Sequence, residues 1–124
     1  MRRVLIVDDE VLVRIGIKHS IAWEQNGFEL IGEASDGKEA LEMIQKLAPD
    51  IVILDINMPV LNGIEVLREL KEQKYKGKVI VLTCFNEIEY ARSAMKYGAS
   101  DYVLKTTLNT DCLLYTSDAA DDRI

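Results

Sequence analysis

A short strand that ends in a carboxylate is the feature that most constrains this chain. Four apolar residues at positions 51–54, Ile-Val-Ile-Leu, lead directly into Asp55, and Pro59 turns the chain soon afterwards. An apolar run of this length, rich in β-branched residues, predicts a strand covered on both faces, as in a parallel sheet with helices on each side. At the carboxyl end of such a strand, Asp55 would lie where open α/β sheets bind their ligands.

Segments with strand patterns and helix patterns alternate along the chain. Apolar runs rich in β-formers predict five strands, at residues 3–7, 28–34, 51–54, 78–83 and 101–104. The segments between them have apolar residues at helical spacing over about 10–13 residues, which is typical of βαβ units. We therefore predict an α/β fold: a doubly wound, five-stranded parallel sheet of the flavodoxin-like type, with strand order 2-1-3-4-5.

Local patterns give more detailed expectations. Asp9 is expected to cap the first helix and Asn86 the fourth, and Gly98 is expected just beyond the end of the fourth helix. Met95 should lie on the buried side of that helix. Cys84 is expected to be a small buried apolar residue.

Composition and charge narrow the class of protein. The 124 residues, 48% of them hydrophobic, fit one globular domain. No apolar run approaches the ~18 residues of a membrane-spanning helix. The formal net charge of −6 makes the domain a poor direct ligand for nucleic acid or an anionic membrane. Cys84 and Cys112 lack a CxxC spacing and no secretory signal is evident, so we expect reduced thiols and a cytoplasmic location.

Polar side chains follow the ends of four predicted strands. Asp8 and Asp9 follow the first strand, Asp55 follows the third, Thr83 ends the fourth and Lys105 follows the fifth. Because the carboxyl ends of parallel strands meet at one edge of a sheet, we expect these five residues to lie close together. Singly, each has an ordinary explanation as a helix cap, a helix-entry hydroxyl or a surface charge. Their coincidence at one edge favours a functional site.

The charges of these residues indicate a chemistry. Carboxylates a few ångströms apart repel one another by about 1–4 kcal/mol per pair, which a divalent cation would offset. Oxygen ligands, in a chain with a single histidine, indicate Mg²⁺ or Mn²⁺. Lys105 adds a fixed positive charge and Thr83 adds a hydroxyl donor. Together they would form an anion site around Asp55, as phosphoryl transfer to that carboxylate requires.

With these motifs, the chain resembles the receiver domain of two-component response regulators over roughly residues 2–111. The motifs that carry the resemblance are Val-Asp-Asp-Glu (7–10), Asp-Ile-Asn-Met-Pro-Val-Leu-Asn-Gly (55–63), Leu-Thr (82–83) and Asp-Tyr-Val-Leu-Lys (101–105). The Trp23-Glu24 pair and the segment 85–91 look most like regulators whose output is an AraC-type DNA-binding domain.

The resemblance implies roles for the acidic residues. Asp55 would be the phosphoacceptor, with a sensor histidine kinase as donor. Asp9, Asp55 and the backbone carbonyl of Asn57 would bind Mg²⁺ or Mn²⁺, and Asp8 would act through a coordinated water. On this basis the domain would be a signalling module and not an enzyme.

The resemblance also implies a switch. Thr83 and Lys105 would hold the phosphoryl oxygens, and Tyr102 would turn inward as Thr83 moves toward the phosphoryl group. The signal would pass through the face formed by helix 4, strand 5 and helix 5 to an output domain. The expected partners are the kinase and, on phosphorylation, a second copy of the chain, without direct binding of nucleic acid or membrane.

Two features depart from the family pattern. The family usually has a proline after this lysine, joined to it by a cis peptide bond, and here Thr106 takes that position. Because a cis bond before a residue other than proline is costly, the Lys105–Thr106 bond is expected to be strained cis, or trans with Lys105 repositioned. Residues 1–111 are expected to form the receiver domain. Residues 112–124 are expected to be an anomalous tail, foreign to the family, that replaces or poorly forms helix 5; the alternative is a short genuine helix.

Two other functions compete with the phosphoacceptor hypothesis. One is a non-phosphorylated pseudo-receiver that acts only as an interaction module, against which the intact set of strand-end residues argues. The other is a phosphatase of the haloacid-dehalogenase type, which also uses a strand-end aspartate as nucleophile. That class expects a second acid two residues after the nucleophile, and this position is Asn57.

Overall fold

The computed structural model of the chain describes residues 1–84, 87–105, 108 and 113, without the side chain of Ile88. The strands are β1 (Arg2–Val7), β2 (Phe28–Ala34), β3 (Ile51–Asp55), β4 (Lys78–Thr83) and β5 (Asp101–Leu104). The helices are α1 (Val11–Ser20), α2 (Gly37–Leu47), α3 (Gly63–Glu72) and α4 (Ile88–Lys96), with a short 3₁₀ turn at Glu24–Asn26. All strand pairs are parallel and the order is β2-β1-β3-β4-β5, which confirms the predicted sheet.

Each face of the sheet carries its own apolar core, because alternate strand residues point to opposite sides. On the face covered by α2, α3 and α4, the buried strand residues include Leu5, Val7, Val52, Leu54, Val79 and Val81. On the face covered by α1, they include Val4, Ile6, Ile51, Ile53, Ile80 and Leu82, together with Leu108 and Leu113 beyond β5. Helices on both faces explain why the central strands are apolar throughout.

Side-chain caps fix where α2 and α3 begin. The Asp36 carboxylate accepts a hydrogen bond from the backbone N–H of Glu39 at 2.8 Å. At α3, Asn62 and Glu65 form a reciprocal capping box, with bonds of 2.9 and 3.0 Å. Such caps satisfy backbone donors that a helix start leaves unpaired, so α3 has a fixed start close behind β3.

Three local predictions are wrong. Asp9 does not cap α1: Glu10 has the N-cap position without a side-chain bond, and the neighbouring Asp8 Oδ1 accepts the Glu10 N–H at 2.8 Å instead. Met95 is 40% exposed, and the buried residues described on α4 are the small Ala91 and Ala94. Cys84 is exposed, because it lies past the end of β4 where the sheet no longer covers it.

Other local predictions concern chain ends and loops. Gly98 has a φ of +98° just after α4, as a helix-terminating glycine requires. The predicted cap Asn86 lies outside the described residues, and Glu87 has the N-cap position of α4. The Lys105–Thr106 bond and, apart from the buried Leu113, the tail at 112–124 also lie outside them. Within the described residues, no helix is long and apolar enough to cross a bilayer.

Candidate functional site

A largely buried lysine joins the acidic residues at the carboxyl edge of the sheet. The Lys105 Nζ atom lies 3.3 Å from Asp55 Oδ1, 3.2 Å from Asp8 Oδ2 and 3.2 Å from Glu10 Oε1. Asp8 is fully buried, Asp55 is 1% exposed and the Lys105 side chain is 12% exposed. The strand ends therefore bring Asp8, Asp55 and Lys105 together, as the sequence predicted, and Glu10 joins them.

The Asp8 side of the site is fixed by a partly buried network around Arg14. The Asp8 N–H donates to the Ala34 carbonyl of β2 at 3.0 Å, which extends the sheet by one residue. The Arg14 guanidinium donates to the Asp8 carbonyl oxygen and, at 3.0 Å, to Glu33 Oε1. Lys18 also donates to Glu33, at 2.8 Å, and this bond together with Arg14 holds the pKa of Glu33 below its usual value. The backbone beside Asp9 is thus held from α1 and β2.

The Asp55 side is fixed by a close approach of α3 to the end of β3. The Gly63 N–H donates to the Ile56 carbonyl at 2.9 Å, and Ile56 N–H donates to the Leu82 carbonyl at 3.1 Å. A Cβ atom on Gly63 would lie 2.7 Å from the Asp55 carbonyl oxygen. Real side chains do not approach that closely, so glycine is required here for α3 to start against the phosphoacceptor candidate.

The ends of β4 and β5 position Thr83 and Lys105 next to each other. Lys105 N–H donates to the Thr83 carbonyl at 2.9 Å, which brings Lys105 to the edge beside β4. The Thr83 side chain is fully buried, and its hydroxyl donates to the Cys84 carbonyl at 3.1 Å. The hydroxyl is therefore at the predicted strand end, but its hydrogen bond is to the backbone of the next residue.

The protonation of the site reflects an excess of buried negative charge. Burial, followed by repulsion from Asp8, raises the pKa of Asp55 to about 7, although Lys105 and the Asn57 N–H lower it in part. Burial likewise raises the pKa of Asp8. Burial alone would lower the pKa of Lys105, but the attraction of Asp55 and Asp8 outweighs it and raises that pKa. One ammonium group does not compensate two buried carboxylates.

The acidic residues have the donor chemistry of a site for a hard divalent cation. Asp55 Oδ2 is buried and accepts no hydrogen bond from the described residues, while the buried Asp8 Oδ2 has the Lys105 ammonium group 3.2 Å away. Asp8, Asp9 and Glu10 offer carboxylate oxygens that lie within 4.8 Å of one another. A buried carboxylate oxygen without a hydrogen-bond donor is costly, and a cation that takes oxygen ligands would satisfy it. These residues therefore fit Mg²⁺ or Mn²⁺.

The remaining predicted residues lie around this centre. Asp9 is exposed beside Asp8. Asn57 is exposed in the loop after β3, and its N–H donates to Asp55 Oδ1 at 3.3 Å. Tyr102 is partly buried on β5 and packs against the apolar core beneath α2, α3 and α4.

Two acidic residues of the site were not predicted from the sequence. Glu10 belongs to the motif at 7–10 and contacts Lys105, but motif order alone does not show that its side chain reaches across to the end of β5. Glu87 accepts hydrogen bonds from the Cys84 N–H at 3.0 Å and from Asn57 Nδ2 at 3.1 Å. No spacing in the sequence marks that contact, since it joins two loops 30 residues apart.

Comparisons with known proteins agree on one family. A family model described as "Response regulator receiver domain" matches residues 4–115. The transcriptional regulatory protein YdfI of Bacillus subtilis is 39% identical over 120 residues, which cover 97% of this chain and 55% of YdfI. The nitrate/nitrite response regulator protein NarL of Escherichia coli is 36% identical over 117 residues, 94% of this chain and 54% of NarL.

A solved structure of a receiver domain has the same fold as this chain. The REC domain of AraT, a response regulator from Geobacillus stearothermophilus, superposes with a TM-score of 0.85 and 32% identity. The match covers 99% of this chain and 95% of that one. By contrast, this chain spans about half the length of the curated relatives it matches. A NarL-type relative does not support the AraC-type output domain that the sequence suggested.

Proposed function

This chain belongs to the response regulator receiver domain family, and from that premise we propose that it accepts a phosphoryl group on Asp55 from a sensor histidine kinase. The domain then acts as a signalling module in the cytoplasm and controls an output domain. YdfI and NarL are about twice as long as the stretch that matches this chain, so each has further sequence outside the matched domain.

The main support for the proposal is that the two oxygens of the Asp55 carboxylate differ in their contacts. One oxygen is engaged by Lys105 and by the Asn57 N–H, while Oδ2 accepts no hydrogen bond from the described residues. A carboxylate at the ligand-binding edge of a parallel sheet, beside a fixed ammonium group, has the arrangement of a nucleophile whose product is an anion.

The transfer step makes one bond and breaks one bond. An Asp55 oxygen forms a bond to phosphorus, the bond from phosphorus to the imidazole nitrogen of the donor breaks, and the imidazole takes up a proton. Lys105 offsets the charge of the phosphoryl oxygens, and the Thr83 hydroxyl turns from the Cys84 carbonyl to donate to one of them.

The acidic residues provide the place for the cation. Asp9, Asp55 and the carbonyl of Asn57 would hold Mg²⁺ or Mn²⁺, and Asp8 would hold it through a water. The cation, when bound, supplies charge neutralisation for the approaching phosphoryl group. Without it the two buried carboxylates share a single ammonium group.

An exposed apolar patch beside the site supports a protein as phosphoryl donor. On α1, Leu12 is 82% exposed, Val11 is 56% exposed and Ile15 is 40% exposed. Val11 and Leu12 directly follow Asp8, Asp9 and Glu10 in the chain, and Ile15 lies one helical turn further on. Large exposed side chains of this kind are typical of a docking surface, so the kinase is expected to contact α1 while its phosphohistidine reaches Asp55.

The output of the domain is a population shift between two conformations. Movement of Thr83 toward the phosphoryl group would free space for Tyr102 to turn inward, which changes the face formed by α4, β5 and the segment that follows it. Homodimer formation on phosphorylation would use this face. The domain itself, with its net charge of −6, is not expected to bind nucleic acid directly.

The test of the proposal is a melting experiment with Mg²⁺ and beryllofluoride, a mimic of a phosphoryl group on a carboxylate. We expect Mg²⁺ at tenfold above its dissociation constant to raise the melting temperature by about 4 °C or more, because it binds the folded state alone. Beryllofluoride should raise it further, and only with Mg²⁺ present.

A matched pair of variants makes this test specific. Asp9→Asn removes a carboxylate of the site and should weaken both effects, while Glu72→Gln, at the exposed far end of α3, should leave both unchanged. No rise with Mg²⁺ in the parent chain, or an equal loss in both variants, would contradict the proposal.

A further inference from the structure

Glu87 links the two loops that flank the phosphoacceptor candidate. Its Oε2 atom accepts from Asn57 Nδ2 at 3.1 Å, and its Oε1 atom accepts from the Cys84 N–H at 3.0 Å. Asn57 is two residues beyond Asp55, and its own N–H donates to Asp55 Oδ1. Cys84 directly follows Thr83. The carboxylate of Glu87 therefore accepts hydrogen bonds from groups on both sides of the proposed phosphoryl site.

Glu87 also stands at the start of α4 without capping it. It has the N-cap position, and its side chain makes no cap bond to the helix because the carboxylate is engaged by the two loops. Its N–H donates to the Cys84 carbonyl at 2.9 Å, which holds the start of α4 against the end of β4. A free carboxylate at that position would be favoured by the unpaired N–H groups and by the helix dipole.

A phosphoryl group on Asp55 changes the balance at Glu87. It brings a charge of about −1.5 to −2 and three strong acceptor oxygens into the space between these loops. The new oxygens compete with Glu87 for the neighbouring donors, and the like charges repel each other. Glu87 therefore favours the unphosphorylated form.

We propose that Glu87 is a resting-state latch, which closes the loop after β3 onto the loop after β4 and which phosphorylation of Asp55 releases. Released from Asn57 and Cys84, the carboxylate is free to cap α4, so that the start of this helix changes with the state of Asp55. The latch links the site to the output face through the N-terminus of α4. This inference rests on the proposed function, because it assigns a regulatory residue to that same site.

The consequence is that neutralising Glu87 should strengthen phosphoryl-mimic binding. Glu87→Gln keeps the size and one acceptor oxygen but removes the charge, and we expect beryllofluoride with Mg²⁺ to bind about threefold to tenfold more tightly. Glu87→Ala removes both contacts and should bind at least as tightly. Calorimetric titration at saturating Mg²⁺ measures these affinities.

The control is Glu89→Gln. Glu89 lies in the first turn of the same helix, its side chain is 87% exposed and it pairs with Arg92 at 3.5 Å. The charge change is identical, but among the described residues Glu89 does not bond to Asn57 or Cys84. We expect its affinity for beryllofluoride to equal that of the parent chain.

A second readout follows the latch directly. In ¹⁵N-labelled protein, beryllofluoride should shift the side-chain amide signal of Asn57 and the backbone signal of Cys84, and Glu87→Ala should shift both toward those positions without any ligand. Unchanged or weaker beryllofluoride binding in both Glu87 variants, or equal tightening in Glu89→Gln, would overturn the latch alone. Failure of the parent chain to bind beryllofluoride would overturn the proposed function, and the latch with it.

Discussion

Replacing Asp55 with asparagine is expected to abolish phosphorylation and to stabilise the fold at pH 8 by about 2–4 kcal/mol. The amide has no nucleophilic carboxylate, so the phosphoryl group has no acceptor at the end of β3. The gain in stability has a separate cause: Asp55 is 1% exposed, and ionising it beside the buried Asp8 is unfavourable. Stability and function are thus opposed at this position, as at other functional sites that hold an unfavourable charge.

The gain should depend on pH in a defined direction. The pKa of Asp55 is about 7 in the folded protein, above the usual value near 4 that it takes in the unfolded chain. Between these two values the folded state binds more protons, so the parent chain loses stability as the pH rises. The advantage of Asp55→Asn should therefore be small near pH 4, grow up to about pH 7 and stay constant above that.

Denaturant unfolding at several pH values, without divalent cations, measures this effect. Asp50→Asn is the matched control, because Asp50 precedes the same strand at the opposite edge of the sheet, is exposed and accepts the Arg3 N–H at 2.8 Å. That variant should gain no stability. A gain in Asp55→Asn that does not change with pH would show that burial of the charge is not its cause.

Replacing Lys105 with methionine is expected to have the opposite effect on stability. Methionine keeps the length of the side chain but removes the ammonium group that lies about equally close to Asp8, Glu10 and Asp55. Removing one partner from a buried ionic cluster typically costs about 3–5 kcal/mol. The loss should be largest above pH 7 and shrink toward pH 5, because the pKa values of Asp8 and Asp55 are already raised and protonation relieves their repulsion.

Mg²⁺ should restore part of the stability of Lys105→Met, since a cation among the carboxylates would take over the missing charge compensation. Lys18→Met serves as the control: Lys18 bonds to Glu33 at 2.8 Å but its side chain is 35% exposed. Exposed pairs contribute about 0–1 kcal/mol, so this loss should be small and should not respond to Mg²⁺. Equal losses in the two variants would show that Lys105 does not compensate the buried acids.

The sheet was predictable because strands and helices leave periodic signals in the sequence. The apolar run that ends at Asp55, the turn at Pro59 and the helix start at Gly63 specify β3 and α3 with little ambiguity. Once the strand order is known, Asp8 and Lys105 must meet Asp55, because their strands end at the same edge. Periodicity and topology thus predict which residues gather at the site.

Contacts that depend on side-chain rotamers and on loops were not predictable in this way. Asp9 was expected to cap α1, but the Asp8 carboxylate accepts the Glu10 N–H before this helix. The hydroxyl of Thr83 is at the predicted place, yet it donates to the Cys84 carbonyl. The Glu87 contact with Asn57 joins two loops whose relative position follows only from the packing of α3 and α4 on the sheet. The domain boundary at 111 and the character of residues 112–124 stay predictions.

Reductive trapping tests the role of Asp55 most directly. The protein is incubated with Mg²⁺ and acetyl phosphate, the aspartyl phosphate is reduced with sodium borohydride to homoserine, and the modified residue is located by tandem mass spectrometry. We expect homoserine at position 55, and no homoserine when Mg²⁺ is withheld. Homoserine at Asp8 or Asp9 instead, or no modified residue in the presence of Mg²⁺, would contradict it.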